Sequence, residues 1–114
     1  MKLIYIAHPI KGDVEGNCEK VVEICKDIRK EHPDIIPVAP YLATLQYLDD
    51  SKEKDRVDGM YLNDLMLEKC CDQLWVFGTH ISEGVQAEIN LAEEAGIPVY
   101  YFNGTENIGL EDEE

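Results

Sequence analysis

Apolar residues along this chain gather into short runs separated by stretches of helical period. Four runs have strand character, Lys2–Ala7, Asp34–Ala39, Gln73–Phe77 and Pro98–Phe102, each rich in Ile, Val, Tyr or Phe. Between the first two, Cys18, Val21, Val22, Cys25 and Ile28 follow the i, i+3, i+4, i+7 rule, which predicts a helix capped by Asn17. His32-Pro33 ends it, because proline disfavours helix in the residue before it. After Pro40 the pattern predicts a short helix over Tyr41–Leu48, a charged loop from Asp49 to Lys54, and a longer helix over Asp55–Cys71. A last helix over Glu83–Ala95 closes at Gly96-Ile97-Pro98, a terminal glycine followed by a helix-incompatible proline.

Strands alternating with helices predict an α/β fold, a doubly wound (flavodoxin- or Rossmann-like) three-layer sandwich around a parallel sheet of four to five strands. Right-handed crossovers place strands one and three side by side where the winding reverses. Ligands bind such sheets at the carboxyl ends of those strands, so the loops His8–Gly16 and Gly78–Gly84 are expected to meet there. Residues 1–103 read as one domain and 104–114 as an acidic, frayed tail.

Composition narrows the partners. A net charge of −14 disfavours nucleic acid polymers and anionic membranes. No apolar run approaches the ~20 residues that span a bilayer, and the first residues read as a strand, so a cytoplasmic protein is expected. Cys18 and Cys25 are seven apart on one helical face and Cys70-Cys71 are adjacent, spacings that suit buried free thiols rather than a disulfide or metal set. No metal or organic cofactor is implied. The glycine fingerprints of P-loop ATPases and Rossmann dehydrogenases are absent, as is a nucleophile elbow.

The segment from Leu74 to Glu88 carries the most chemistry. An apolar strand stops at Gly78, a polar loop follows, and a helix opens at Ser82, offering unpaired N–H groups to an anion. Ser82 is at least an N-cap; with Gly84 allowing close approach, the same element suits a phosphate. Glu88 lies among Gly84, Val85, Leu91 and Ala92 on an apolar stripe, either reaching solvent at its edge or held inward for a purpose. Asp64 has apolar helical neighbours in Met60, Tyr61 and Leu67, which suits a polar interface residue or a second buried acid. Lys11, between Gly12 and the strand end, is a cation beside the crevice; His8 is a candidate ligand or base, and Tyr5 in mid-strand needs a partner for its hydroxyl.

Taken in order, Ile4-Tyr5-Ile6-Ala7-His8-Pro9-Ile10-Lys11-Gly12, Asn63-Asp64-Leu65 ahead of Cys71-Asp72, Ser82-Glu83-Gly84-Val85-Gln86-Ala87-Glu88 and Ala95-Gly96-Ile97-Pro98-Val99 resemble the nucleoside 2-deoxyribosyltransferase-like superfamily. The likeness covers about residues 2–102 and is strongest to its small 2′-deoxynucleoside 5′-monophosphate N-glycosidases and the often phage-encoded proteins grouped with them. The resemblance implies that Glu88 is a nucleophile attacking the anomeric carbon, Tyr5 its orienting partner, and Asp64 the acid that contacts the departing base. It implies that Ser82 and Gly84 hold a 5′-phosphate, with Lys11 where those enzymes use an arginine near it; His8 and Gly78, in the strand-end loops, are further substrate-binding candidates by position. His8-Pro9 stands where those hydrolases have a small Gly-Ser-like pair, and Gln86 where they often have glycine. A C-terminal segment that completes a neighbouring subunit's site in some relatives is expected to be short or absent here, with Asn103 able to replace part of it.

The expected function is therefore N-glycosidic cleavage of a nucleoside 5′-monophosphate or related nucleotide, by hydrolysis or base exchange. A nucleotide-binding or sensing module without turnover is the alternative, and a protein-interaction role a third. The partner is a small-molecule nucleotide or nucleoside. A homo-oligomer is expected by resemblance and from the apolar surplus of the Asp55–Cys71 helix.

Overall fold

A computed structural model describes residues 1–102 of the chain. Both the acidic tail and Asn103 lie outside the described residues. The elements are β1 (Lys2–Ala7), α1 (Val14–Glu31), β2 (Ile35–Val38), α2 (Tyr41–Thr44), α3 (Glu53–Cys70), β3 (Gln73–Val76), α4 (Glu83–Glu94) and β4 (Val99–Tyr101). The four strands form one parallel sheet in the order β2-β1-β3-β4. Strands one and three are neighbours, as the doubly wound order requires, with Tyr5 beside Leu74 and Ile6 beside Trp75.

That register sorts the helices onto two faces. Successive residues of a strand point to opposite sides, and paired residues of neighbouring strands share a side. Ile6 and Trp75 therefore face one way, where Trp75 meets His32, just past the end of α1, edge-on at 6.4 Å. Tyr5 faces the other way and bonds Glu88 of α4, which itself packs against α3. On the α1 side Trp75, Phe77 and Phe102 form an aromatic cluster, with Phe77 and Phe102 stacked at 4.8 Å. Such contacts contribute about 0.5–1.5 kcal/mol each beyond the ~1.5–3 kcal/mol of burying a large apolar side chain.

Asp13 caps α1, not Asn17, so the helix begins four residues earlier than its apolar period suggests. The Asp13 carboxylate accepts the Gly16 N–H at 3.1 Å. A Cβ at Gly16 would lie 2.3 Å from that carboxylate, so glycine belongs to the cap rather than to a flexible loop. Asn17 instead donates to the Ile10 carbonyl at 2.9 Å and braces the loop after β1. Helix α3 likewise starts at Glu53 and α2 is a single turn. Helix α4 ends as its sequence requires: Gly96 adopts φ +76°, and the Gly96 and Ile97 N–H groups bond back to Glu93 and Ala92.

All four cysteines are free. Cys71 is buried and Cys18 and Cys25 half-buried, but Cys70 is exposed because the last turn of α3 carries it away from the core. Helix α3 buries only Leu67 fully and leaves Val57, Met60, Tyr61 and Leu62 exposed, with Tyr61 at 67%. None of the described helices is long and apolar enough to cross a membrane.

Candidate functional site

A cleft opens at the carboxyl ends of β1 and β3 and is closed on its far side by α2 and α3. Its chemistry begins beneath the floor. Tyr5 is fully buried in mid-strand, and its hydroxyl donates to Glu88 Oε2 at 2.6 Å. An alternating strand forces Tyr5 toward α4, and the helical period turns Glu88 inward to meet it. The interaction joins residues 83 positions apart, so it is a product of the tertiary fold.

Burial raises the Glu88 carboxyl from 4.5 to about 7; nearby Asp64 pushes the same way, while the Tyr5 hydrogen bond opposes them. Asp64, half-buried on α3, is also raised, first by desolvation and then by Glu68. Two carboxyl groups thus face one cleft, both favouring the protonated form more than a solvated acid would, and they influence each other's charge. Burial and the adjacent carboxylate likewise drive the Tyr5 phenol well above its usual range, so it remains a hydrogen-bond donor.

Ser82 is the N-cap of α4 and accepts the Val85 N–H at 3.3 Å, which leaves its hydroxyl proton free to donate into the cleft. A Cβ on Gly84 would meet nothing within 4 Å, so the wall beside Ser82 is open. Lys11 is exposed at the rim. His8, only 8% exposed, lines the cleft with its Nδ1 hydrogen-bonded to the Pro9 carbonyl at 2.6 Å. The structure therefore gathers His8, Lys11, Asp64, Ser82, Gly84 and Glu88 around one cavity, with Tyr5 directly below. Gly78 stands apart. It adopts φ +112°, and a Cβ there would lie 2.9 Å from the Pro9 ring, so its role is to let the two strand-end loops pass closely.

The α2–α3 wall contributes residues that the pattern did not single out. Tyr41 is buried, donates its hydroxyl to the Ile6 carbonyl, and packs 6.4 Å from Tyr5. Thr44 is buried beside it, and Asn63 has a buried side-chain oxygen without a partner among the described residues. Asp50, from the charged loop ahead of α3, lies half-buried at the rim. The position of α2 directly after β2, at the ligand end of the sheet, is the signal that could have found Tyr41 and Thr44. Among the described residues no group of three His, Cys, Asp or Glu side chains could hold a metal ion.

Residues 2–102 match the profile of a domain of unknown function, DUF7768. No curated protein matches the chain. Among solved structures, a 2-deoxyribosyltransferase from the psychrotolerant bacterium Bacillus psychrosaccharolyticus superposes with a TM-score of 0.63 at 17% identity, over 94% of this chain and 76% of that one. A conserved protein from Enterococcus faecalis V583 superposes with a TM-score of 0.61 at 25% identity, over 89% of this chain and 62% of that one. The chain thus spans less than two thirds of the Enterococcus protein and shares the doubly wound fold of both.

Proposed function

The chain belongs to the DUF7768 family, and from that premise and the geometry of its cleft we propose that it cleaves the N-glycosidic bond of a nucleoside or nucleoside 5′-monophosphate. The observation that carries this is the Tyr5–Glu88 hydrogen bond of 2.6 Å on the floor of a cleft that also holds Asp64. Kinship of fold with a deoxyribosyltransferase supports the same reaction class.

Breaking a C1′–N bond builds positive charge on the sugar and negative charge on the base. Glu88, once ionised, attacks C1′ and forms a glycosyl ester as the base departs. Tyr5 fixes the carboxylate's orientation through its donated hydrogen bond. Asp64, with its raised proton affinity, delivers a proton to the leaving base. Water, or a second base, then attacks C1′ and releases Glu88. Because Glu88 holds its proton up to about pH 7, ionisation of Glu88 is the first requirement of the cycle.

Incubation with a panel of ribo- and deoxyribonucleosides and their 5′-monophosphates, followed by chromatography for free base, tests the proposal. Release by the wild type and none by Glu88→Ala is expected. No release from any member, or equal release by the variant, refutes it, and tight binding without release identifies a binding module. Adding a competing base separates hydrolysis from base exchange.

A further inference from the structure

The sugar end of the cleft has a hydrogen-bonding character that selects among ligands of the proposed reaction. A carbonyl oxygen can only accept, so the 2.6 Å contact to the Pro9 carbonyl places the His8 proton on Nδ1. Nε2 then carries a lone pair, and no described residue is its hydrogen-bond partner. Burial lowers the proton affinity of this imidazole and outweighs the Pro9 hydrogen bond, which raises it; the proximity of Lys20 and His80 adds to the lowering, which favours the neutral ring. Pro9 follows with no N–H to offer. Across the same end, at the start of α4, Ser82 spends its oxygen on the Val85 N–H and keeps its hydroxyl proton available.

We propose that His8 and Ser82 together bind the 5′-hydroxyl of an unphosphorylated nucleoside, with His8 as the residue that selects against a 5′-phosphate. A hydroxyl gives one proton and accepts another, and the pair supplies one acceptor, His8 Nε2, and one donor, the Ser82 hydroxyl. A phosphate monoester dianion offers only acceptor oxygens, so its lone pairs would oppose that of Nε2. Topology places the contact: His8 follows β1 and Ser82 follows the adjacent β3, while Asp64 comes from α3 on the far wall. With C1′ over Glu88 and the base toward Asp64, the 5′ carbon extends toward His8 and Ser82.

Electrostatics points the same way. Lys11 and Arg56 line the cleft, but so do Asp50, Asp55 and Glu83, before Glu88 and Asp64 are counted. Among the described residues neither Lys11 nor Arg56 makes an ion pair, and the Arg56 guanidinium donates to the Met60 sulfur. In a chain of net charge −14, these two exposed cations do not turn the cavity into an anion site. An uncharged nucleoside meets no such penalty.

This inference rests on the N-glycosidase proposal for the identity of the ligand, and binding separates the two. Calorimetry at neutral pH would compare 2′-deoxyadenosine, its 5′-monophosphate and 2′,5′-dideoxyadenosine on wild type and His8→Ser, alongside base release from each. Folding of the variant is checked by its melting transition. The wild type should bind 2′-deoxyadenosine about tenfold or more tightly than either other ligand, the scale of one lost or mispaired buried hydrogen bond. His8→Ser, whose hydroxyl can donate, should narrow the gap to the monophosphate. Equal or tighter binding of the monophosphate by wild type overturns the inference, as does an undiminished affinity for the 5′-deoxy analogue or a ratio unchanged by His8→Ser. Binding preference for the nucleoside without base release overturns the N-glycosidase proposal alone. Base release chiefly from the monophosphate overturns this inference alone. No binding of any of the three overturns both.

Discussion

Replacing Glu88 by glutamine should make the protein more stable at alkaline pH while abolishing cleavage. In the folded state the Glu88 carboxyl titrates at about 7, against 4.5 when solvated. Below 4.5 both states keep the proton and the residue has no linked effect. Between those values the unfolded chain ionises and the folded protein does not, so stability falls as pH rises. Above about 7 both are ionised and the folded state bears the whole cost, about 3 kcal/mol at 1.36 kcal/mol per unit. Glutamine never ionises, and its side-chain oxygen still accepts from the Tyr5 hydroxyl. The melting temperature of Glu88→Gln should therefore exceed that of wild type by on the order of 10 °C at pH 8.5 and match it at pH 4.5. Taking the variant-minus-wild-type difference at each pH cancels the background of the acidic surface. Calorimetric melts of both proteins across this range supply the test. A gain independent of pH, or a loss at pH 8.5, would refute the assignment of a half-buried, reluctant carboxylate and would make Glu88 an ordinary rim residue.

Catalysis should run opposite to stability. Because Glu88 must be ionised to attack, base release should rise with pH through about 7, and a rate already flat from pH 5 would contradict this order of events. Tyr5→Phe removes the hydrogen bond that lowers the Glu88 pKa, so the acidic limb of the pH–rate profile should move to higher pH, with a stability change of about 1–3 kcal/mol at pH 8.5. Trp75→Ala should cost about 3–5 kcal/mol in a denaturant melt, since the indole is 1% exposed and packs against Phe77 and Phe102. The exposed Val57, Tyr61 and Leu62 on α3 should be covered by a second copy of the chain, so light scattering should report a dimer at micromolar concentration and a monomer for Tyr61→Glu.

Pattern sufficed where one local rule dominated. The strands were legible because buried parallel strands are continuous apolar runs, and the end of α4 because Gly96 and Pro98 punctuate it. The start of α1 was not legible from period alone. Its first turn is polar, and Gly16 reads as loop until the Asp13 carboxylate is seen in the space a side chain would take. Glu88 was visible as a carboxylate on an apolar stripe, but pattern alone gave it no partner; the family resemblance named Tyr5, and the fold brings the two to 2.6 Å across 83 residues. Tyr41 and Thr44 escaped notice because their neighbourhood depends on how a single helical turn lies over the cleft. Gly78 had the right composition for an anion loop but a different task, set by its approach to Pro9.

That approach ties positions 78 and 9 into one steric unit. A methyl group at Gly78 would press on the Pro9 ring at 2.9 Å and would also have to adopt φ +112°, so the loop after β1 would have to yield. The Pro9 carbonyl is the group that keeps the His8 proton on Nδ1. Gly78→Ala would therefore disturb the imidazole in the cleft from a position that does not itself line it, and its effect would not simply add to that of a change at Pro9. The missing side chain two residues past β3 thus leaves the room in which Pro9 sits, and through the Pro9 carbonyl Gly78 is coupled to the placement of the His8 proton.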